Sequence, residues 1–153
     1  MATTNGLTFV SGPIFVGLRE TNLEGNVYWT HFLDWFGTVR EQFLLLLVPD
    51  FENRFRAGLR IITAEEHLKH LAPAFFGESV IVRINVAEMK KIQACLSFVI
   101  ENAATGQKLA EGWQNLLFAE TKDGSVPTRK DLIQVPEDIK EAALKYSIKG
   151  VKM

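Results

Sequence analysis

Two side chains stand where chemistry could be done. Asn22, in the run Thr21-Asn22-Leu23-Glu24-Gly25, carries an amide that both donates and accepts, and it lies just ahead of a long apolar segment. If that segment is a helix, its first-turn N–H groups lack intrahelical acceptors and are ready donors to a developing oxyanion. Arg40 sits inside the same segment, about 180° around a helix from His31 and about 20° from Trp29, among apolar neighbours. A guanidinium cannot shed its charge there, so it must find acceptors or reach water through a cleft. Each residue has a second reading. Asn22 could bond only its own turn, and Arg40 could snorkel to the surface or bond main-chain carbonyls. Glu41 falls on the polar stripe with His31, Asp34, Thr38 and Gln42, which suits a solvated or interface role and makes it the fallback base. Glu65, Glu66 and His67 form a second fallback group, His31 and His70 read as surface or interface histidines, and no spacing suggests a metal or a cofactor.

The elements that must position these residues follow from the pattern along the chain. With 153 residues, 47% hydrophobic and 23% charged, the expectation is one globular domain spanning residues 1–153. The formal net charge of −1 argues against a nucleic-acid partner. Cys95 is the single cysteine, the start MATTNGLTFVSG lacks a secretion signal, and the apolar run Phe43 to Val48 is too short to span a bilayer, so a soluble cytoplasmic protein is expected.

Pro13 to Glu20 reads as a first strand, and Asn26 as the N-cap of one helix of about 20 residues, Val27 to Val48, stopped by Pro49. Trp29, Phe32, Leu33, Phe36, Val39, Phe43 and Leu47 cover most of that helix, which should therefore be largely enclosed. The polar stretch Asp50 to Gly58 reads as a loop. Strands are expected near Leu59–Leu71, Ser79–Met89, Ile92–Glu101 and Lys108–Thr121, with turns at Lys90-Lys91, Ala104-Thr105-Gly106 and Lys122-Asp123-Gly124. Pro136 to Tyr146 reads as a short terminal helix. The order predicts an α+β fold, one long central helix against a curved antiparallel sheet of about five strands.

Glu20-Thr21-Asn22-Leu23, Gly25-Asn26-Val27-Tyr28, Phe32-Leu33-Asp34-Trp35, Arg40-Glu41-Gln42-Phe43-Leu44 and Leu71 to Glu78 carry a resemblance. They are similar to the hot-dog thioesterases of the 4-hydroxybenzoyl-CoA thioesterase superfamily, and within it most resemble the thioesterases associated with enediyne polyketide synthases. Asn22 stands where many members have their catalytic aspartate. The resemblance implies a hot-dog fold and makes Asn22 and Arg40 the functional pair, with the Trp29 backbone N–H as oxyanion donor and Gly25, Tyr28 and Phe36 contacting substrate. Asn22 would orient water or thioester rather than abstract a proton, and Arg40 would hold a β-keto oxygen of the acyl chain.

The implied donor is an acyl or polyketide chain on an acyl carrier protein or CoA, its arm passing between subunits of a dimer or tetramer. Arg54, Arg56 and Arg60 offer a basic cluster for an acidic carrier, or a merely solvated one. Three alternatives remain at this stage: a general acyl-CoA thioesterase, a non-catalytic acyl-binding protein on the same fold, and a hot-dog dehydratase, for which no His/carboxylate pair is evident.

Overall fold

In the computed structural model, which describes residues 6–122 and 124–148, the chain forms seven strands and three α-helices. In chain order these are β1 (Phe9–Val10), β2 (Ile14–Phe15), α1 (Thr30–Leu47), α2 (Phe51–Arg56), β3 (Leu59–His70), β4 (Ser79–Met89), β5 (Gln93–Asn102), β6 (Lys108–Glu120), β7 (Leu132–Ile133) and α3 (Glu137–Leu144). Two-residue alternation builds the sheet: Val80, Val82, Ile84 and Val86 of β4, then Ala94, Leu96, Phe98 and Ile100 of β5, turn inward and are buried. The strands pair antiparallel in the order β1-β4-β5-β6-β3, with β2 also on β4 and β7 on β6. Along its length β3 pairs only with β6, so its other edge is open among the described residues.

Helix α1 lies on this sheet and buries Phe32, Trp35, Phe36, Val39, Phe43, Leu44 and Leu47. Ile139, Ala143 and Leu144 of α3 close the same core. The α+β expectation of one long helix on an antiparallel sheet holds, with corrections in detail. Seven strands replace about five, because β1, β2 and β7 are two-residue pairings too short to show a period. The strand expected over Pro13–Glu20 shrinks to Ile14–Phe15. A 3-10 turn over Leu18–Glu20 follows it, fixed by the Gly17 N–H donating to Glu20 Oε2 at 2.9 Å.

The long helix begins at Thr30 rather than Val27, and Asn26 is not its cap. Val27 N–H donates to Ala74 O at 2.8 Å, and Asn26 bridges Phe75, so the two residues belong to strand-like pairing. The helix is also less enclosed than its apolar wheel suggests, since Leu45 is 61% and Leu46 55% exposed. Asp50 to Gly58 is not simply a loop. Phe51 and Phe55, four apart, stack with centroids 6.1 Å apart, Arg56 pairs with Glu52 at 2.6 Å, and the segment winds into α2. Asp123, in the expected turn after β6, and the first five residues lie outside the described residues.

Candidate active site

Asn22 is held in a tight turn. Its N–H donates to Asn26 O at 2.9 Å, its carbonyl accepts from Gly25 N–H at 3.0 Å, and its side-chain Oδ1 accepts from Glu24 N–H at 2.9 Å. Gly25 adopts φ +82°, a conformation that suits glycine. The side-chain oxygen is thus spent on the backbone, as the turn reading requires, while among the described residues the exposed Nδ2 group has no partner. Tyr28 and Trp29 follow, exposed, with ring centroids 5.8 Å apart. Tyr28 N–H donates to Glu20 O and His31 N–H to Tyr28 O, but among the described residues the N–H groups of Trp29 and Thr30 meet no acceptor. Free amides therefore sit at the helix start beside the Asn22 turn.

Arg40 is half-buried on the sheet-facing side of α1. Its Nη1 donates to Gln114 Oε1 at 2.6 Å and to Thr63 Oγ1 at 2.8 Å, while Nε is buried and has no acceptor among the described residues. The guanidinium borders a cleft of about 290 Å³ between α1, α2 and β3, whose walls are Leu44, Leu45, Phe51, Phe55 and Ile61. Glu41 lies at the same cleft and is exposed. An apolar trough with one cation and few other polar groups suits an acyl chain that carries an oxygen.

Among the described residues no hydrogen bond joins Asn22 and Arg40 within one chain. Trp29 and Arg40 are eleven residues apart on one helix, about 16 Å along its axis, more than an arginine side chain spans. Phe36, expected to contact substrate, is 1% exposed and stacked on Phe98, so it belongs to the core. The basic cluster is engaged internally. Arg54 pairs with Asp138 at 2.6 Å, Arg56 with Glu52, and Arg60 donates to Phe55 O and Leu59 O while lying over the Phe55 ring.

On β3, Glu65 accepts from Asn115, Glu66 accepts from Gln114, and His67 stacks on Trp113. His31 contacts Asp34, and His70 packs edge-on against Phe32. Burial and the neighbouring Glu88 push the Cys95 thiol up from its ordinary value, which disfavours the thiolate a nucleophile needs. Among the described residues no group of three or more His, Cys, Asp or Glu is placed to hold a metal, and no helix is long and apolar enough to cross a membrane.

Gln114 and Thr63 join the site without belonging to any motif in the sequence. The signal for Gln114 was present: it interrupts a buried face of β6 otherwise built from Ala110, Leu116 and Phe118. Thr63 gave none, since threonine is at home on any strand.

Residues 16–143 match the thioesterase-like superfamily. Among solved structures, the dynemicin thioesterase, whose crystal structures describe polyene binding, is similar over 92% of this chain and 98% of its own at 27% identity and a TM-score of 0.79. A hypothetical protein from Thermus thermophilus is similar at 26% identity and a TM-score of 0.75, over 94% and 100% of the two chains. A 1,4-dihydroxy-2-naphthoyl-CoA thioesterase from Synechocystis, at 19% identity over 89% and 95%, shares the fold with a TM-score of 0.75. None of the curated proteins matches the sequence.

Proposed function

The chain belongs to the thioesterase-like superfamily and is a thioester hydrolase, and from that premise we propose that it releases a β-keto polyketide-type chain from an acyl carrier protein or CoA. The observation that carries this reading is Arg40, a cation lining an apolar cleft, whose only hydrogen bonds among the described residues are the two made by Nη1. A guanidinium carries five N–H donors, so Nη2 is left to donate to a ligand oxygen that enters the cleft. A 3-oxo group supplies such an oxygen, while the apolar walls take the rest of the chain. The likeness to a polyene-binding thioesterase supports an extended, unsaturated chain.

The active unit is at least a dimer in this reading. A thioester carbonyl and its 3-oxo oxygen lie only a few ångströms apart, so Trp29 and Arg40 of one chain, about 16 Å apart along the helix, cannot both hold them. Two copies related by a two-fold axis with their α1 helices antiparallel would set the helix start of one beside Arg40 of the other. The exposed Tyr28, Trp29, Leu45 and Leu46, together with the open β3 edge, support such a pairing.

In the assembled site the thioester carbonyl oxygen accepts from the Trp29 N–H, which stabilises negative charge as water attacks the carbonyl carbon. Asn22 cannot act as a strong base, so its Nδ2 orients the water or the thioester. The tetrahedral intermediate collapses with cleavage of the C–S bond, giving a free acid and the thiol of the carrier arm. Arg40 holds the 3-oxo oxygen and keeps the chain in register.

Mass spectrometry of what leaves a carrier protein loaded with a 3-oxoacyl chain tests the reading. The expected product is the 3-oxo acid or its decarboxylated ketone. Equal release of a saturated chain of the same length would point instead to a general acyl thioesterase, and retained chain without release to an acyl-binding protein.

A further inference from the structure

Gln114 is a polar side chain where β6 should carry an apolar one. It is 4% exposed, and a buried amide is tolerated only when its groups are satisfied. Both ends are. Oε1 accepts from Arg40 Nη1 at 2.6 Å, and Nε2 donates to Glu66 Oε2 at 3.0 Å. The orientation of the amide is fixed by its partners, because a guanidinium only donates and a carboxylate only accepts. A chain of hydrogen bonds therefore runs from the Glu66 carboxylate through the Gln114 amide to the Arg40 guanidinium.

We infer that Gln114 is the positioning residue of Arg40: it holds Nη1 against the sheet and so leaves Nη2, which has no partner among the described residues, to meet an oxygen on the acyl chain. This rests on the proposed role of Arg40 toward a 3-oxo chain. An arginine has several donors and a long flexible stem, and without a fixed acceptor it would turn to whichever oxygen was nearest. Thr63 holds the same nitrogen at 2.8 Å from β3, so two strands fix one corner of the fork. Glu66, exposed on β3, polarises the amide so that its oxygen is a better acceptor for the cation. The device acts on substrate choice rather than on bond cleavage.

The test compares a 3-oxoacyl-CoA with the saturated acyl-CoA of equal chain length, measuring kcat and KM for each. In Gln114→Met, which keeps the volume and removes both hydrogen bonds, kcat/KM should fall about tenfold more on the 3-oxo substrate than on the saturated one. Equal losses on both substrates would indicate a merely structural role and overturn the inference. Gln114→Glu should lose the preference, because it sets two carboxylates side by side, and adding Glu66→Gln should restore it by re-forming the chain with its charge moved one place. If Gln114→Met fails to fold, this exchanged pair decides: a preference recovered relative to Gln114→Glu supports the inference, and none recovered overturns it. A wild-type protein without any 3-oxo preference removes the Arg40 reading itself and the inference with it. A preference that survives in Gln114→Met removes only the inference.

Discussion

Phe36 of α1 lies flat on Phe98 of β5, ring centroids 3.8 Å apart and planes inclined by 14°. The stack pins the middle of the helix to the middle of the sheet, between the free amides of the helix start and the guanidinium beyond. Both ends of the candidate site are therefore carried on one helix.

Truncating that contact tests its weight. Phe36→Ala should destabilise the fold by about 3–5 kcal/mol, the range for deleting a buried aromatic, as read from urea denaturation. A loss below about 1 kcal/mol would mean that the ring is not a core member and would return it to the substrate-contact role expected from the sequence.

Arg40→Ala should lower kcat/KM on a 3-oxoacyl thioester by about a hundredfold, the scale for removing one charge-stabilising donor. Arg40→Lys should recover little, since an ammonium gathers its donors on one nitrogen and lacks the planar fork that grips Gln114 with Nη1 while offering Nη2 elsewhere. Recovery to wild-type rates in Arg40→Lys would show that charge alone suffices.

Asn22 requires a substitution that separates turn from chemistry. Serine can accept from the backbone two residues on, as Asn22 Oδ1 does from Glu24 N–H, but it has no amide to donate. Asn22→Ser should keep the thermal midpoint within a few degrees and lower kcat at least about tenfold. Unchanged kcat would confine Asn22 to the turn.

Arg54 holds the Asp138 carboxyl below its ordinary value and ties α2 to α3. A folded-state pKa that is depressed contributes stability above the unfolded carboxylate range and loses it as pH falls through the folded value. The stability difference between wild type and Asp138→Asn should thus be full at neutral pH and vanish in strong acid. A difference independent of pH, measured by urea midpoints across that range, would remove the ion pair as its cause.

Much of the scaffold was legible because it repeats. Val80 to Val86 and the apolar face of α1 declare their periods over many residues, and the structure keeps them. Asn26 misled because a good N-cap residue is equally good in a bridge, and only the distant Ala74 carbonyl decides between the two. The helix over Phe51–Arg56 was hidden by its charges, since a single turn stabilised by a Phe51–Phe55 stack has no long pattern to show. At the site, Arg40 was visible as a cation out of place. Its partner could not be found by spacing, because Gln114 is 74 positions away on β6 and meets Arg40 only where α1 packs on the sheet.

The cleft beside Arg40 has a different genealogy from the arginine's anchor. Its walls come from one uninterrupted stretch of chain, Arg40 to Ile61, whereas Gln114, which with Thr63 fixes the guanidinium, comes from a remote strand. The stretch is in effect a cassette. Exchanging its helical wall residues, such as Leu45, Phe51 and Phe55, would resize the trough while the sheet and the Gln114 anchor stay untouched, so a lineage could change what such a trough accepts by rewriting one short passage of sequence.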